Sequence, residues 1–107
     1  MKTLASAACL VLLLDLSPLH ADQGLAMRSG CLGCHKADAE LVGPSFQDIS
    51  ARYRDDPSSV DRLADKVKSG SPAGDPLLWG QVPMPASPAA LDDIKTVIRW
   101  MFVEGAK

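Results

Sequence analysis

From Asp22 onward, apolar residues recur at helical spacing, and no stretch alternates apolar with polar as a half-buried strand would. The clearest run follows Ser87-Pro88. Leu91, Ile94, Ile98 and Met101 fall at i, i+3, i+7 and i+10, and Val97, Trp100 and Phe102 widen the stripe. Ser87 is a good N-cap, Pro88 suits the first helical position, and Asp92 and Asp93 suit the positive end of the dipole, so a helix is predicted to start at Pro88. Upstream, Val60, Leu63, Ala64 and Val67 share one face, while Asp61, Arg62, Asp65, Lys66 and Lys68 share the other. Asp56-Pro57-Ser58-Ser59 restarts the chain before that helix and Gly70 ends it. A shorter helix, capped by Ser45, places Phe46, Ile49 and Tyr53 at i, i+3 and i+7 as core. Asp22 to Gly30 can form one more, with no clean buried stripe. The pattern predicts an all-α domain of about four short helices, the last packed across the first.

Two stretches do not fit a helical pattern, and they carry the candidate chemistry. The first is Cys31-Leu32-Gly33-Cys34-His35. Cys-x-x-Cys-His reads as a c-type haem attachment site: two thiols add across the haem vinyl groups, and the adjacent imidazole becomes an iron ligand. A zinc site would need a second ligand pair, and the other residues of those types are Cys9 and His20. A thioredoxin-like pair needs a βαβ context that this chain lacks. A structural disulfide stays open, although it would leave His35 idle.

The second is the irregular run from Ser69 to Ser87, long enough to mark a functional loop. Leu77, Leu78, Trp79 and Met84 give it a composition costly in water and suited to a haem face. Met84, bracketed by Pro83 and Pro85, is the natural sixth ligand, because a thioether is soft and two fixed φ angles limit its wandering. A lone Met is otherwise a gap-filler. Trp79 needs an acceptor for its indole N–H, such as a haem propionate. The Pro44 carbonyl can accept a hydrogen bond from His35 Nδ1–H, while the bland reading of Gly43-Pro44 is a turn. Lys66 and Lys68 are solvated face, with a haem propionate or a partner surface as the alternatives for one of them.

Charge and length narrow the rest. A chain of 107 residues with a formal charge of −2 is one small domain without a basic footprint for nucleic acid. Chains this short need a staple for a thin core, and a buried haem would supply it. Residues 1–21 read as a secretory signal peptide, with Lys2 ahead of the apolar run Leu4 to Leu14 and Ala21 at the cut. That run is shorter than the ~20 residues of a membrane span, so no stable insertion is expected after cleavage. The mature domain is then 22–107, and it retains Cys31 and Cys34, the two thiols one haem consumes.

Taken together, these residues resemble the class I c-type cytochromes, and within them the small bacterial monohaem cytochrome c-551 type. The likeness runs through Gly30-Cys31-x-x-Cys34-His35, Val42-Gly43-Pro44-x-Phe46-x-Asp48, Lys66-Val67-Lys68-Ser69-Gly70-Ser71, Trp79-Gly80-x-Val82-Pro83-Met84-Pro85 and Trp100. The resemblance implies a helical fold wrapped around one covalently bound haem c. It implies thioethers at Cys31 and Cys34, axial iron ligands at His35 and Met84, the Pro44 carbonyl on the His35 ring, and Trp79 near a propionate. Lys66 lines up where many members offer an Arg to a propionate. The stretch Pro72 to Leu78 looks longer than usual, and Ser87 stands where many members have an Asn.

The function expected is not enzymatic. It is soluble, monomeric, periplasmic one-electron carriage in a respiratory or denitrifying chain. Partners would be respiratory oxidoreductases, nitrite reductase or a terminal oxidase, bound transiently. Two alternatives remain at this level: a haem subunit of a larger oxidoreductase, or a ligand-binding or peroxidatic haem protein in which Met84 is displaced.

Overall fold

The computed structural model describes residues 18–72, 75, 79 and 82–104. These form helices α1 (Pro18–Arg28), α2 (Phe46–Tyr53), α3 (Ser59–Ser69) and α4 (Leu91–Glu104), with a 3-10 turn at Cys31–Gly33. Extended pairing among the described residues is an isolated antiparallel bridge between Ser71 and Met84. The all-α expectation therefore holds. Most of the expected signal peptide lies outside the described residues.

Helix α1 begins at Pro18, earlier than the Asp22 start read from the sequence, because proline's fixed φ suits the first helical turn. Arg28 occupies the last turn, and Ser29 N–H donates to the Leu25 carbonyl at 2.9 Å. Gly30 then takes φ +80°, a left-handed angle that turns the chain into the Cys31 segment. On α1, which packs on α4, Ala26 is fully buried. Met27 is 64% exposed.

Helix α2 starts as its cap predicts, with Ser45 Oγ accepting from Asp48 N–H at 3.0 Å. Asp56 organises the restart into α3: Oδ1 accepts from Ser58 N–H at 2.9 Å and from Ser58 Oγ at 2.8 Å, and Oδ2 pairs with Arg62. Fully buried Ser59 donates to the Tyr53 carbonyl at 2.8 Å, tying the two helices together.

The start of α4 corrects the sequence reading. Its first intrahelical bond runs from Ile94 N–H to the Ala90 carbonyl at 3.0 Å, so Ala90 is the cap and Ser87-Pro88 precedes the helix. The reason is tertiary. Ser87 N–H donates to the Val67 carbonyl at 3.0 Å, Lys68 Nζ donates to the Ala89 carbonyl at 2.6 Å, and Ser87 Oγ accepts from Ala89 N–H at 3.2 Å. Those bonds hold the segment extended along α3 until Ala90.

Phe46, Ala64, Ile94, Ile98 and Met101 form the core cluster, with Val60, Leu63, Val67, Leu91, Trp100 and Phe102 packed against it. Burying each large apolar side chain contributes about 1.5–3 kcal/mol, so α4, with four buried apolar residues, anchors the fold. Helices α1, α2 and α3 each pack on α4. This leaves a cleft between the Cys31 turn, α2, α3 and the Val82–Ser87 segment.

Candidate haem site

The 3-10 turn Cys31–Gly33 sets the two thiols. Cys34 N–H and His35 N–H both donate to the Cys31 carbonyl, at 3.3 and 3.0 Å, so the chain folds back on itself and carries Cys31, Cys34 and His35 into the wall of the cleft. The two cysteines are not joined in a disulfide, and both are half-buried. Burial pushes the Cys31 thiol above its ordinary pKa, partly offset by a hydrogen bond from its own backbone. Among the described residues no group of three or more His, Cys, Asp or Glu is placed to hold a metal ion.

His35 is held on three sides. Its Nδ1 lies 2.7 Å from the Pro44 carbonyl oxygen. The Phe46 ring stacks on it with centroids 5.7 Å apart and planes 21° apart, and Trp100 meets Phe46 edge-on at 5.7 Å. Gly43 supplies the third contact, since a Cβ there would lie 2.5 Å from His35 Cε1. Gly43 N–H donates to the Cys34 carbonyl at 2.8 Å, which brings the Gly-Pro turn back over the motif.

Met84 lines the same cleft from the far end of the sequence, on an extended segment bridged to Ser71. The cleft measures about 1170 Å³ with its open mouth included, and its walls are mainly apolar: Val42, Ile49, Leu63, Val67, Val97 and Ile98 among them. A wide apolar slot holding two thiols, an oriented imidazole and a thioether matches the chemistry of a c-type haem: covalent anchors, nitrogen and sulfur donors, and a dry wall.

The remaining candidates are also at the cleft. Lys66 lines it, and its Nζ pairs with Asp75 Oδ2 at 3.2 Å, the two side chains 25% and 20% exposed. Trp79 lines it beneath the Arg52 guanidinium, 4.7 Å from the ring centroid, with Tyr53 edge-on at 6.4 Å. Leu77 and Leu78, expected on the haem face, lie outside the described residues. Sequence reasoning missed Arg52, Asp75 and the close fit of Gly43 and Gly70. Helical periodicity carries no signal for any of these. Tyr53, placed on the core stripe with Phe46 and Ile49, is half-buried and lines the cleft as they do.

A family model described as Cytochrome c matches residues 23–101. Cytochrome c-551 of Allochromatium vinosum is 45% identical over 84 residues, covering 76% of this chain and 83% of that protein. Cytochrome c-552 of Nitrosomonas europaea is 38% identical over 82 residues, 76% of each chain. The crystal structure of the wild-type Nitrosomonas europaea cytochrome c552 superposes with a TM-score of 0.68 at 35% identity, covering 77% of this chain and 98% of that one. With the Cys31-x-x-Cys34-His35 turn opening onto an apolar cleft of this kind, the chain belongs to the cytochrome c family, as a class I c-type cytochrome with one covalently bound haem c.

Proposed function

We propose that this protein is a one-electron carrier whose haem is anchored by Cys31 and Cys34 and ligated by His35 and Met84. The carrying observation is that His35, its Nδ1 engaged by Pro44, and Met84, fixed by the Ser71 bridge, line one apolar cleft. Haem iron supplies the chemistry by cycling between ferric and ferrous. The chain's part would be to offer the iron His35 and Met84 together, leaving no place for oxygen or peroxide, and to surround it with the mainly apolar cleft wall. A thioether ligand and a low-dielectric wall both favour the ferrous form and raise the potential. The remaining polar contacts are assigned to the propionates: Trp79 through its indole N–H, and Lys66 as a point charge where an Arg fork is absent.

In this reading residues 1–21 are a signal peptide removed near Ala21, and 22–107 is the mature periplasmic domain. None of the described helices is long and apolar enough to cross a membrane. Partners are redox proteins of a respiratory or denitrifying chain, such as respiratory oxidoreductases, nitrite reductase or a terminal oxidase. Binding is brief, over a small patch. The test is optical: ferric protein should show a low-spin spectrum with the methionine-to-iron charge-transfer band. Met84→Ala should abolish that band and lower the potential. An unchanged spectrum and potential in Met84→Ala would exclude Met84 as ligand.

A further inference from the structure

Met84 reaches the cleft on an extended segment that is fastened along its length to the C-terminal end of α3. Ser71 N–H donates to the Met84 carbonyl at 2.8 Å, Ser87 N–H to the Val67 carbonyl at 3.0 Å, and Lys68 Nζ to the Ala89 carbonyl at 2.6 Å. Gly70 sits inside this seam with φ +83° and ψ 168°, a conformation that is essentially glycine's alone. A Cβ at Gly70 would lie 2.8 Å from Ala86 N and 2.9 Å from the Met84 carbonyl oxygen. Both are backbone atoms, so neither can rotate aside. Glycine therefore serves twice, letting the chain leave α3 and letting the Met84–Ala86 backbone lie flat against it.

We propose that Gly70 and the end of α3 form a latch that sets how much of the time Met84 stays at its ligand position, and hence how readily a small ligand enters the sixth site. The proposal rests on Met84 being the sixth ligand. An added ligand binds only the open form, so its apparent dissociation constant is the intrinsic one divided by the open fraction. Strain at the latch raises that fraction and tightens the added ligand by the same factor. In the exchange an imidazole nitrogen replaces the thioether sulfur, and no electron moves.

The haem-loaded ferric protein is titrated with imidazole, for wild type and variants. Gly70→Ala should raise the affinity about tenfold or more, from backbone strain. Lys68→Met, at an exposed contact, should raise it about two- to threefold. Ser59→Ala is the control, since it removes the bond to the Tyr53 carbonyl at the opposite end of α3. It should lower the melting temperature while leaving imidazole affinity within about twofold of wild type. Equal tightening in Ser59→Ala would overturn the latch as general loosening. Where Gly70→Ala does not fold, Lys68→Met carries the test. Met84→Ala separates the two readings: a changed spectrum there with unchanged affinity in the latch variants overturns the latch alone, whereas an unchanged spectrum overturns the ligand assignment.

Discussion

His35 Nδ1 and the Pro44 carbonyl oxygen stand 2.7 Å apart, and a carbonyl has no proton to give. Nδ1 is therefore the donor of this contact, which leaves Nε2 as the ring nitrogen available to a metal. One contact selects both the tautomer and the ring orientation that an iron ligand requires, and makes the ring a stronger donor. Proline suits the acceptor position because its fixed φ limits the carbonyl's wandering.

Gly43→Ala should weaken that arrangement. The added methyl would meet Cε1 at 2.5 Å, Nδ1 at 2.9 Å and Nε2 at 3.1 Å, all on a ring already stacked on Phe46. The ring must shift, at a cost of about 2 kcal/mol in overpacking. Thermal denaturation of the haem-loaded protein checks this. A melting temperature within about a degree of wild type would show that the ring has room.

Phe46→Ala tests the support behind the ring. Phe46 is 2% exposed and links His35 to Trp100 and the α4 core. Truncation should cost about 3–5 kcal/mol. Phe46→Leu, which keeps most of the volume, should recover the larger part. Denaturant midpoints measured at constant slope decide between them.

The sequence predicted elements well where one residue decides locally. Ser45 caps α2 because its hydroxyl reaches only three residues ahead, and Gly30 and Gly70 end helices because positive φ favours glycine. Ser87-Pro88 misled because its cap signal was outweighed by bonds to Val67 and from Lys68, some twenty residues away. Arg52 over Trp79 and Lys66 beside Asp75 likewise join α2 and α3 to residues far along the chain, and no periodicity encodes such pairings. The Cys31-x-x-Cys34-His35 motif was legible because covalent haem attachment fixes residue type and spacing, and the structure brings Met84 to the same cleft.

Asp56 should give stability a small acidic limb. Hydrogen bonds from the Ser58 side chain and backbone, with the nearby Arg62 charge, hold its carboxyl below the ordinary value. The folded state thus favours the ionised form, so the contribution is full above the unfolded pKa, about 4, and disappears as pH falls through the folded value. Asp56→Asn keeps an acceptor for Ser58 but loses the charge. Its melting temperature should fall slightly below wild type at neutral pH and match it at low pH, and salt should shrink the difference. A deficit that persists in acid would assign the effect to the turn instead of the charge.

Asp75→Asn should raise the reduction potential. Lys66 is the one Lys, Arg, Asp or Glu among the described residues lining the cleft, and Asp75 holds its Nζ at 3.2 Å. The pair brings an anion close to the cation assigned to a propionate, and so cancels part of the positive field that would favour ferrous iron. Replacing the carboxylate by an amide leaves Lys66 charged and makes the cleft more positive, which stabilises the reduced form. Both side chains are only partly exposed, so screening by solvent is incomplete and a rise of about 30 mV is expected. Lys66→Gln should move the potential the other way. Voltammetry at low and high ionic strength reads both, with the shifts shrinking as salt increases. A fall in potential for Asp75→Asn would show that the tether Asp75 provides to Lys66 outweighs the charge it carries.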